Sequence, residues 1–304
     1  MDSKSKILVS VVGPTAVGKT KLAIEIAQHF NTEIISADSR QFYRELEIGT
    51  AKPDESELIA AKHHLINNLS ITEFFTVGDF EREVLALLFK LFKKHKVVVM
   101  VGGSGLFCKA IWEGLDEMPR IKEGMREELN DQFEKEGLGG LLKELKEKDP
   151  TFYDIVDRNN PQRVIRALEV IRSSGQPFSE LRKGEKTSRE FINLKIGLNM
   201  ERADLFERIN SRMDQMISKG LFEEAESLTG CKSHNALQTV GYSEIFKYLD
   251  GEYDREEAVR LLKRNSRRYA KRQLTWFQKD EEIAWYQPND LDQIIRLIES
   301  QLNT

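Results

Sequence analysis

The sequence GPTAVGKT at residues 13–20 constrains the fold of this chain more than any other feature. It follows a short, valine-rich apolar run, Ile7 to Val12, and precedes a helix-compatible stretch from Lys19 to Phe30. This order predicts a strand, a glycine turn and a helix. The glycines let the backbone curl so that amide hydrogens and the helix N-terminus face an anion, to which Lys19 adds a positive charge. We therefore predict that the turn binds a phosphate or diphosphate group.

The whole turn is expected to form the anion site, and its last residue a metal site. The predicted diphosphate-binding residues are Gly13, Pro14, Thr15, Ala16, Val17, Gly18, Lys19 and Thr20. In loops of this kind the terminal hydroxyl binds the Mg²⁺ that accompanies the phosphates. Mg²⁺ is therefore the expected cofactor, with Thr20 as its ligand from the protein.

Two further apolar runs, Glu33 to Ala37 and Val97 to Val101, are separated by an amphipathic helical pattern at Val77 to Phe92. Apolar strands that alternate with helices indicate a parallel sheet. Ligands of open parallel sheets bind beyond the carboxyl ends of the strands. We therefore expect one cleft to collect the GPTAVGKT turn, Asp38 and Gly102, each of which directly follows a predicted strand.

Length and the change of character along the chain predict two domains, because 304 residues exceed what one hydrophobic core usually organises. Charged, helix-rich sequence extends from about Pro119 to Ser174, and strand propensity returns at Phe191 to Leu198, where the chain is expected to rejoin the sheet. We predict an α/β fold with a P-loop NTPase-like parallel sheet core at 1–115 and a helical insertion domain at 116–190. The remainder of the core and a basic, helical C-terminal region are predicted at 191–304.

The net charge of −4 hides a strongly basic segment. Nine Lys or Arg residues stand against two Glu between Arg255 and Lys279, which gives +7 there and leaves −11 for the rest of the chain. The cations Arg260, Arg264, Arg267, Arg268, Lys271 and Arg272 are predicted on one side of a helix, with Ala258, Leu262, Tyr269 and Trp276 on another. A salt-bridged surface helix is the alternative, but the excess of cations favours contact with a nucleic-acid backbone.

Other classes of protein are disfavoured by what the sequence lacks. No apolar run approaches the roughly 20 residues that cross a bilayer, so we expect no membrane contact and a cytoplasmic location. Cys108 and Cys231 lie far apart without CxxC spacing, so we predict buried thiols and neither a disulfide framework nor a zinc site. His63 and His64 are predicted to pack or cap.

Three polar groups leave their roles open on spacing alone. Asp38 suits a helix N-cap, an indirect partner of Mg²⁺ or a general base. Ser104, in the turn after the third strand, suits either close approach to a ligand or an ordinary tight turn. The QRVIR segment at Gln162 to Arg166 follows a helix-start signal, and taken alone it is typical of a solvated helix face.

Taken together, the motifs resemble those of the tRNA dimethylallyltransferase family, also called tRNA isopentenyltransferases. They are GPTAVGKT, DSRQFY with EIGTAKP just after it, HHLI, VGGSGLF, NNPQRVIRALEV, TVGY and KRQLTWF, and they occur in the family's order from Gly13 to Phe277. GTAKP at 49–53 and KRQLTWF at 271–277 are far more specific than the glycine turn. The resemblance therefore covers nearly the whole chain.

The resemblance implies transfer of a dimethylallyl group from dimethylallyl diphosphate to the exocyclic N6 amine of the adenosine just 3′ of the anticodon, in tRNAs that read codons beginning with U. By motif position, Asp38 looks like the general base, and Arg212 looks like a diphosphate ligand. The implied catalytic residues are Asp38, Lys19, Thr20 and Ser104. The implied tRNA contacts are Asp38, Ser39, Arg40, Gln41, Ser104, Arg126, Gln162, Arg163, Val164, Ile165, Arg166, Lys271 and Arg272. The expected partners are dimethylallyl diphosphate and a tRNA anticodon stem-loop, and a monomer is expected.

The sequence departs from the family pattern at two positions. Ser104 stands where the family usually has Thr, which keeps a hydroxyl, and Phe107 stands where it often has Tyr, which puts any contact of that hydroxyl in doubt. No zinc-finger pattern follows the KRQLTWF segment, which favours the bacterial type of the family.

Competing interpretations remain on the sequence alone. A small-molecule kinase shares the glycine turn, the magnesium and a base after the second strand, but it leaves the basic segment and KRQLTWF unexplained. A relative that prenylates free adenine nucleotide is disfavoured by the same basic segment. A non-enzymatic RNA-binding NTP switch would bind ATP or GTP tightly and catalyse no transfer.

Overall fold

The computed structural model describes residues 6–303, which form six strands and 14 α-helices. The first part of the chain contains β1 (Ile7–Val12), α1 (Lys19–His29), β2 (Ile34–Ser36), α2 (Glu55–Ala60), β3 (His63–His64), α3 (Val77–Leu91), β4 (Val97–Gly102) and α4 (Gly105–Glu113). Helices α5 (Met125–Glu136), α6 (Leu138–Lys148), α7 (Pro150–Ile155), α8 (Pro161–Ser174) and α9 (Phe178–Leu181) follow. The last part contains β5 (Ile192–Leu198), α10 (Arg202–Ser218), α11 (Leu221–Ser227), α12 (Tyr242–Leu249), α13 (Arg255–Phe277), β6 (Ala284–Tyr286) and α14 (Leu291–Leu302).

The chain divides into two compact units. The first, the sheet unit, comprises Met1–Trp112 and Arg189–Thr304, and the second, the helical unit, comprises Glu113–Ser188. The helical unit consists of α5 to α9, which surround their own apolar core. Leu129, Leu141, Leu145, Val164 and Leu168 are fully buried in that core.

The six strands form one parallel sheet in the order β3-β2-β4-β1-β5-β6. Strand β1 lies inside the sheet, where Ile7 stands opposite Val97 of β4 and Ile192 of β5. Every residue of β1 and β4 is buried, as expected for a parallel sheet that helices cover on both faces. The predicted parallel sheet and the return of the chain at β5 are confirmed.

Side chains of β1 alternate between two cores because successive residues of a strand point to opposite faces. Ile7, Val9 and Val11 pack with α1 and α14, whereas Leu8 and Val12 pack with α3 and α4. All strands run in the same direction, so the segments that follow β1, β2 and β4 meet at one edge of the sheet. That edge carries the site described below.

The edge strand β6 was missed in the sequence. It contains only Ala284, Trp285 and Tyr286, all half-buried, and it pairs with β5. Three residues are too few to show a two-residue periodicity, and the pairing is set by the partner strand.

Helix α13 contains the basic segment, and its predicted apolar side was partly wrong. Its buried residues are Ala258, Leu262, Ser266, Ala270, Gln273 and Phe277. Tyr269 is only half-buried, and Trp276 is 40% exposed although its indole lies against Gly105. Helical periodicity predicts the side of the helix on which a side chain lies, but not the fraction of that side chain that tertiary contacts bury.

The cysteines and the first two histidines are placed as follows. Both cysteines are free; Cys108 is buried, as predicted, but Cys231 is half-buried because it lies on a short surface turn, Thr229–Cys231. The His63 ring bonds the Ala61 carbonyl through Nδ1, and His64 Nε2 lies 2.6 Å from a Glu33 carboxylate oxygen. Within residues 6–303, no helix combines the length and the apolar character needed to cross a membrane.

Candidate active site

The GPTAVGKT turn connects β1 to α1 in a conformation that requires its glycines. Gly13 and Gly18 have φ angles of 140° and 108°, which side-chain-bearing residues rarely adopt. A Cβ on Gly13 would also lie 2.5 Å from the Leu198 carbonyl oxygen. Lys19 Nζ donates a hydrogen bond of 2.8 Å to the Pro14 carbonyl, so this ammonium group lies over the turn.

The ammonium of Lys19 is held in an environment that disfavours its charge. Burial, and secondarily the nearby Arg212 guanidinium, lower its pKa to about 8, while Asp38 acts in the opposite direction. A cation in this position gains energy from an anionic ligand, because the ligand supplies the counter-charge that the turn lacks.

Arg212 reaches the turn from α10. Its Nη1 donates to Thr15 Oγ1 at 3.3 Å and its Nη2 donates to the Ala51 carbonyl at 3.1 Å. Burial lowers the pKa of Arg212, and Asp38 opposes that effect. Two half-buried cations, Lys19 and Arg212, thus flank the GPTAVGKT turn, and both contact neutral oxygen atoms of the loops.

Asp38 follows β2 at the same edge of the sheet. Its Oδ1 accepts a hydrogen bond of 3.0 Å from the Arg40 amide, and the residues that follow form turns rather than a helix, so it is not a helix N-cap. Burial lowers the pKa of Arg40, which Asp38 partly offsets. The carboxylate therefore lies among the cations Lys19, Arg40 and Arg212.

Ser104 joins the turn after β4 to the segment after Asp38. Its Oγ accepts from the Ser39 amide at 3.0 Å and donates to Ser39 Oγ at 3.1 Å. Phe107, where the family often has Tyr, packs with the rings of Phe42 and Phe80 at centroid distances of 5.7 and 4.8 Å. Phe107 therefore makes apolar contacts with other aromatic rings, and it has no hydroxyl with which to contact a ligand.

Gln41 faces inward and holds a neighbouring loop. Its Oε1 accepts from Ser36 Oγ at 3.1 Å, and its Nε2 donates to the carbonyls of Thr50 and Ala51, each at 3.3 Å. Gln41 thereby fixes the GTAKP segment, which in turn holds Arg212 through the Ala51 carbonyl.

An open cleft of about 780 Å³ lies in front of the turn and is lined by Lys19, Thr20, Asp38 and Arg212, among others. A narrower cavity of about 100 Å³ adjoins it. Its apolar walls are formed by Ile209, Met213, Met216, Val240 and Tyr269, and its polar end by Thr15, Asp38, Arg40 and Arg212. Thr15, Asp38 and Arg212 line both spaces, so the cleft in front of the turn and the apolar cavity share one boundary.

The donor set of this cleft suits Mg²⁺. This ion keeps several waters and needs only one or two protein oxygens when it is bound through substrate phosphates. Thr20, in the first turn of α1, and Asp38 bring a hydroxyl and a carboxylate to the same cleft. In the described residues no group of three or more His, Cys, Asp or Glu forms an all-protein metal site.

Several residues of the site were not assigned from the sequence. The Glu224 carboxylate accepts the backbone amides of Glu47, Ile48 and Gly49 at 2.7–3.1 Å and the Tyr242 hydroxyl at 2.6 Å. This anchors the loop that carries GTAKP. The motifs EIGTAKP and TVGY contain two residues of this contact, Gly49 and Tyr242. A Cβ on Gly49 would overlap the Tyr242 ring, so the close packing requires glycine at position 49.

The predicted tRNA contacts are distributed over both units. In the helical unit, Arg126 Nη1 and Arg166 Nη1 lie 3.0 and 3.3 Å from Glu169 Oε2, and Arg126 also donates to Gln162. Glu169 is 3% exposed. Arg163 is exposed, whereas Val164 and Ile165 are buried in the core of this unit, where they support the helix that carries the polar residues.

In the sheet unit, the cations of α13 separate into two groups. Arg260 pairs with Glu257 and Lys263 pairs with Asp214, and both contacts lie near the surface. Three others, Arg268, Lys271 and Arg272, line a shallow groove of about 370 Å³ beside the exposed Trp276, together with Lys279, which follows the helix. The structure thus supports both interpretations of this helix, salt-bridged in its first half and available to a polyanion in its second.

Comparison with known proteins finds similar chains over nearly the whole length of this protein. The sequence model of the family described as IPP transferase matches residues 41–280. A tRNA dimethylallyltransferase of Cytophaga hutchinsonii is 51% identical over 298 residues, 98% of each chain, and one of Christiangramia forsetii is 50% identical over 301 residues, 99% of this chain and 100% of the other.

Solved structures give the same result. The full-length tRNA isopentenylpyrophosphate transferase of Bacillus halodurans has a TM-score of 0.72 and 38% identity, with 99% of this chain and 97% of that chain covered. A eukaryotic dimethylallyltransferase that acts on tRNA has a TM-score of 0.77 and 25% identity, with 95% and 75% covered. These matches to the family model, to curated relatives and to solved structures show that this protein belongs to the IPP transferase family.

Proposed function

We propose that this protein transfers the dimethylallyl group of dimethylallyl diphosphate to the exocyclic N6 amine of the adenosine 3′-adjacent to the anticodon, in tRNAs that read codons beginning with U, and releases diphosphate. Its curated relatives are named tRNA dimethylallyltransferases. The observation that carries the proposal is the shared boundary between the anion-binding turn and the apolar cavity.

A prenyl diphosphate has a doubly charged head directly attached to a short hydrocarbon. The turn with Lys19 and Arg212 suits the head, and the methionine and isoleucine side chains of α10 suit the hydrocarbon. A kinase would need a site for a nucleoside behind its phosphates. The apolar walls of Ile209, Met213 and Met216 offer that nucleoside few polar partners, which favours the prenyl donor.

Breaking the bond between prenyl C1 and its oxygen leaves a new negative charge on the diphosphate. We propose that Lys19, the amides of the turn and Arg212 neutralise this charge. Donors that are already in place at a developing charge lower the barrier most, because they need no reorganisation during the reaction. Thr20 would hold the accompanying Mg²⁺, which adds positive charge at the phosphate oxygens.

The adenine amine is a poor nucleophile because its lone pair is delocalised, but it becomes strongly acidic as the new C–N bond forms. A nearby carboxylate is suited to remove that proton. We propose Asp38 for this role, since it lies where the anion site meets the apolar cavity, next to the expected position of prenyl C1. Ser104 and Ser39 hold the adjoining backbone in place.

The target base must leave its stack to reach this cleft, which costs little in a single-stranded anticodon loop. We propose that Lys271 and Arg272 contact RNA phosphates, together with the other cations of their groove, and that Arg163, Gln162 and Arg126 do so from the helical unit. We propose that the enzyme is a monomer. A tRNA substrate supports a cytoplasmic location.

The test is to incubate the protein with Mg²⁺, dimethylallyl diphosphate and unmodified tRNA that reads a codon beginning with U, and to determine the masses of the digested nucleosides. We expect a prenyl-adenosine, and we expect the Asp38→Asn variant to form it at least about 100-fold more slowly, because its amide cannot accept the proton. The Asp292→Asn variant, altered at an exposed position of α14, serves as the matched control.

Two outcomes would contradict the proposal. If no prenylated nucleoside forms while phosphate moves from ATP to a small molecule, the protein is a kinase. If prenylated product forms from free adenine nucleotide and not from tRNA, the acceptor is wrong.

A further inference from the structure

We propose that Gln273 is a positioning residue for the transfer reaction, because its side-chain amide fixes the anion-binding turn relative to the turn after β4. The inference rests on the proposed function and deepens it. Gln273 belongs to the KRQLTWF segment, but it differs from its neighbours there. Lys271 and Arg272 are exposed, whereas Gln273 is 6% exposed and points into the protein.

The amide of Gln273 makes two hydrogen bonds, each to the backbone of a different loop. Its Oε1 accepts from the Thr15 N–H at 2.8 Å, and its Nε2 donates to the Gly103 carbonyl at 3.0 Å. One contact needs an acceptor and the other a donor, so the carboxamide fits in one orientation only. A Cβ on Gly103 would overlap Gln273 Nε2, so the close approach depends on glycine at that position.

On the diphosphate side, the effect of Gln273 passes through Thr15. The Thr15 amide is held by Gln273, and the Thr15 hydroxyl accepts from Arg212. A displaced Thr15 therefore displaces the guanidinium that we assign to the leaving group.

On the side of the base, the effect passes through the turn after β4. Gly103 is held by Gln273, and its neighbour Ser104 accepts the Ser39 amide, directly after Asp38. One side chain thus sets the spacing between the groups proposed to stabilise the leaving group and the group proposed to take the proton. Misplacement of either set lowers the rate steeply, because both must act in the same transition state.

The experiment compares the Gln273→Met and Gln273→Glu variants with the wild type. Methionine fills the same space but makes neither hydrogen bond, so we expect kcat/KM to fall about 10- to 100-fold, mostly in kcat. In the Gln273→Glu variant an ionised carboxylate accepts the Thr15 N–H but cannot donate to Gly103, whereas the protonated carboxyl does both. We therefore expect the activity of this variant, relative to wild type, to rise as the pH falls from 9 to 6.

Other groups around this part of the cleft also titrate or carry charge: Lys19 from α1, Asp38 and Arg40 from the segment after β2, Cys108 from α4, Arg212 from α10, and Tyr269 and Arg272 from α13 itself. They are present in every variant, so we take the ratio to wild type at each pH. The activity of the Gln273→Met variant relative to wild type should not change with pH. The Gln278→Glu variant adds the same charge at the exposed end of the same helix, and it should stay within about twofold of wild type.

A readout without substrate separates this inference from the proposed function. Amide hydrogen exchange of the segment that contains Thr15 should accelerate in the Gln273→Met variant and remain unchanged in the Gln278→Glu variant. Wild-type rates in both Gln273 variants, or a flat pH ratio for Gln273→Glu, would overturn the inference. A wild-type protein that forms no prenyl-adenosine would overturn the proposed function instead, and the exchange result would then show whether Gln273 fixes the turn.

Discussion

Two cations of the candidate site in the sheet unit and three arginines of the helical unit are held in opposite ways. In the sheet unit, Lys19 and Arg212 are half-buried and contact neutral oxygens, and desolvation lowers the pKa of each. In the helical unit, Arg172 lies against the carboxylates of Glu144 and Glu128, and its hydrogen bond to Glu144 raises its pKa. Arg126 and Arg166 similarly share the buried carboxylate of Glu169.

The difference separates two roles that a sequence motif does not distinguish. A buried cation without a carboxylate partner retains its attraction for an anionic ligand, whereas an ion-paired arginine has much of its charge neutralised and instead stabilises the helices. We infer that the candidate site holds Lys19 and Arg212 for the substrate, whereas Lys195, elsewhere in the sheet unit, is paired with Asp280 and Glu282. The helical unit uses Arg126, Arg166 and Arg172 for its own structure and presents Arg163 to solvent.

The largest expected effect follows from removing the charge on Lys19. The Lys19→Met variant should lose about 1,000-fold or more in kcat/KM, because a preorganised charge at the leaving group is lost. Initial rates of prenyl-adenosine formation measure this. Lys90→Met, at an exposed position near the end of α3, is the control and should retain wild-type rates. A loss of less than tenfold in the Lys19 variant would contradict the contrast between the units.

A smaller effect is expected at Arg212. The Arg212→Met variant should lose about 100-fold in kcat/KM, with KM for dimethylallyl diphosphate raised and KM for tRNA unchanged, because this guanidinium faces the diphosphate side of the cleft. Steady-state kinetics with each substrate varied in turn test this. Arg202→Met, at the exposed start of the same helix, should have no such effect. An increase confined to KM for tRNA would assign Arg212 to the other substrate.

The lowered pKa of Lys19 predicts a pH dependence. Lys19 is cationic below its pKa of about 8 and neutral above it, so kcat/KM for dimethylallyl diphosphate should be level near pH 7 and fall by up to about tenfold per unit above pH 8. At saturating donor, the bound diphosphate keeps Lys19 protonated, so kcat should lack this decline. A rise of kcat/KM through pH 8 would show that binding of dimethylallyl diphosphate does not need the charge on Lys19.

The smallest effect is expected in the helical unit. The Glu169→Gln variant should lower the free energy of unfolding by about 1–3 kcal/mol, because it removes the buried acceptor that Arg126 and Arg166 share. KM for dimethylallyl diphosphate should not change. Denaturant unfolding with steady-state kinetics measures both, and Glu134→Gln at an exposed position of α5 is the control. Unchanged stability would show that these arginines are not structural.

Much of the fold could be predicted because its signals are local. The glycines of the anion-binding turn are required by backbone conformation at single residues, and the strands β1, β4 and β5 are visible as apolar runs. The parallel direction of the strands follows from the alternation of strands and helices, whereas their order was not predicted. β6 escaped because three residues carry no periodicity, and Trp276 was misplaced because its exposure depends on tertiary contacts.

The site could be predicted in part. Asp38, Lys19 and Arg212 are brought to one cleft, as motif order and the carboxyl edge of the sheet suggested. The cavity wall of Met213, Met216 and Tyr269 could not be predicted, because an apolar residue at helical spacing is equally typical of an ordinary core.

The sequence alone determined the anion-binding turn, the parallel sheet and the basic helix, since each depends on residues close together in the chain. Only the tertiary structure decided which distant groups hold that turn. Gln273 bonds Thr15 across 258 residues of sequence, and Glu224 bonds Gly49 across 175. No local pattern encodes such pairs, because a glutamine or glutamate on a helix can equally well point into solvent. Its role is set by the loop that the completed fold places against it.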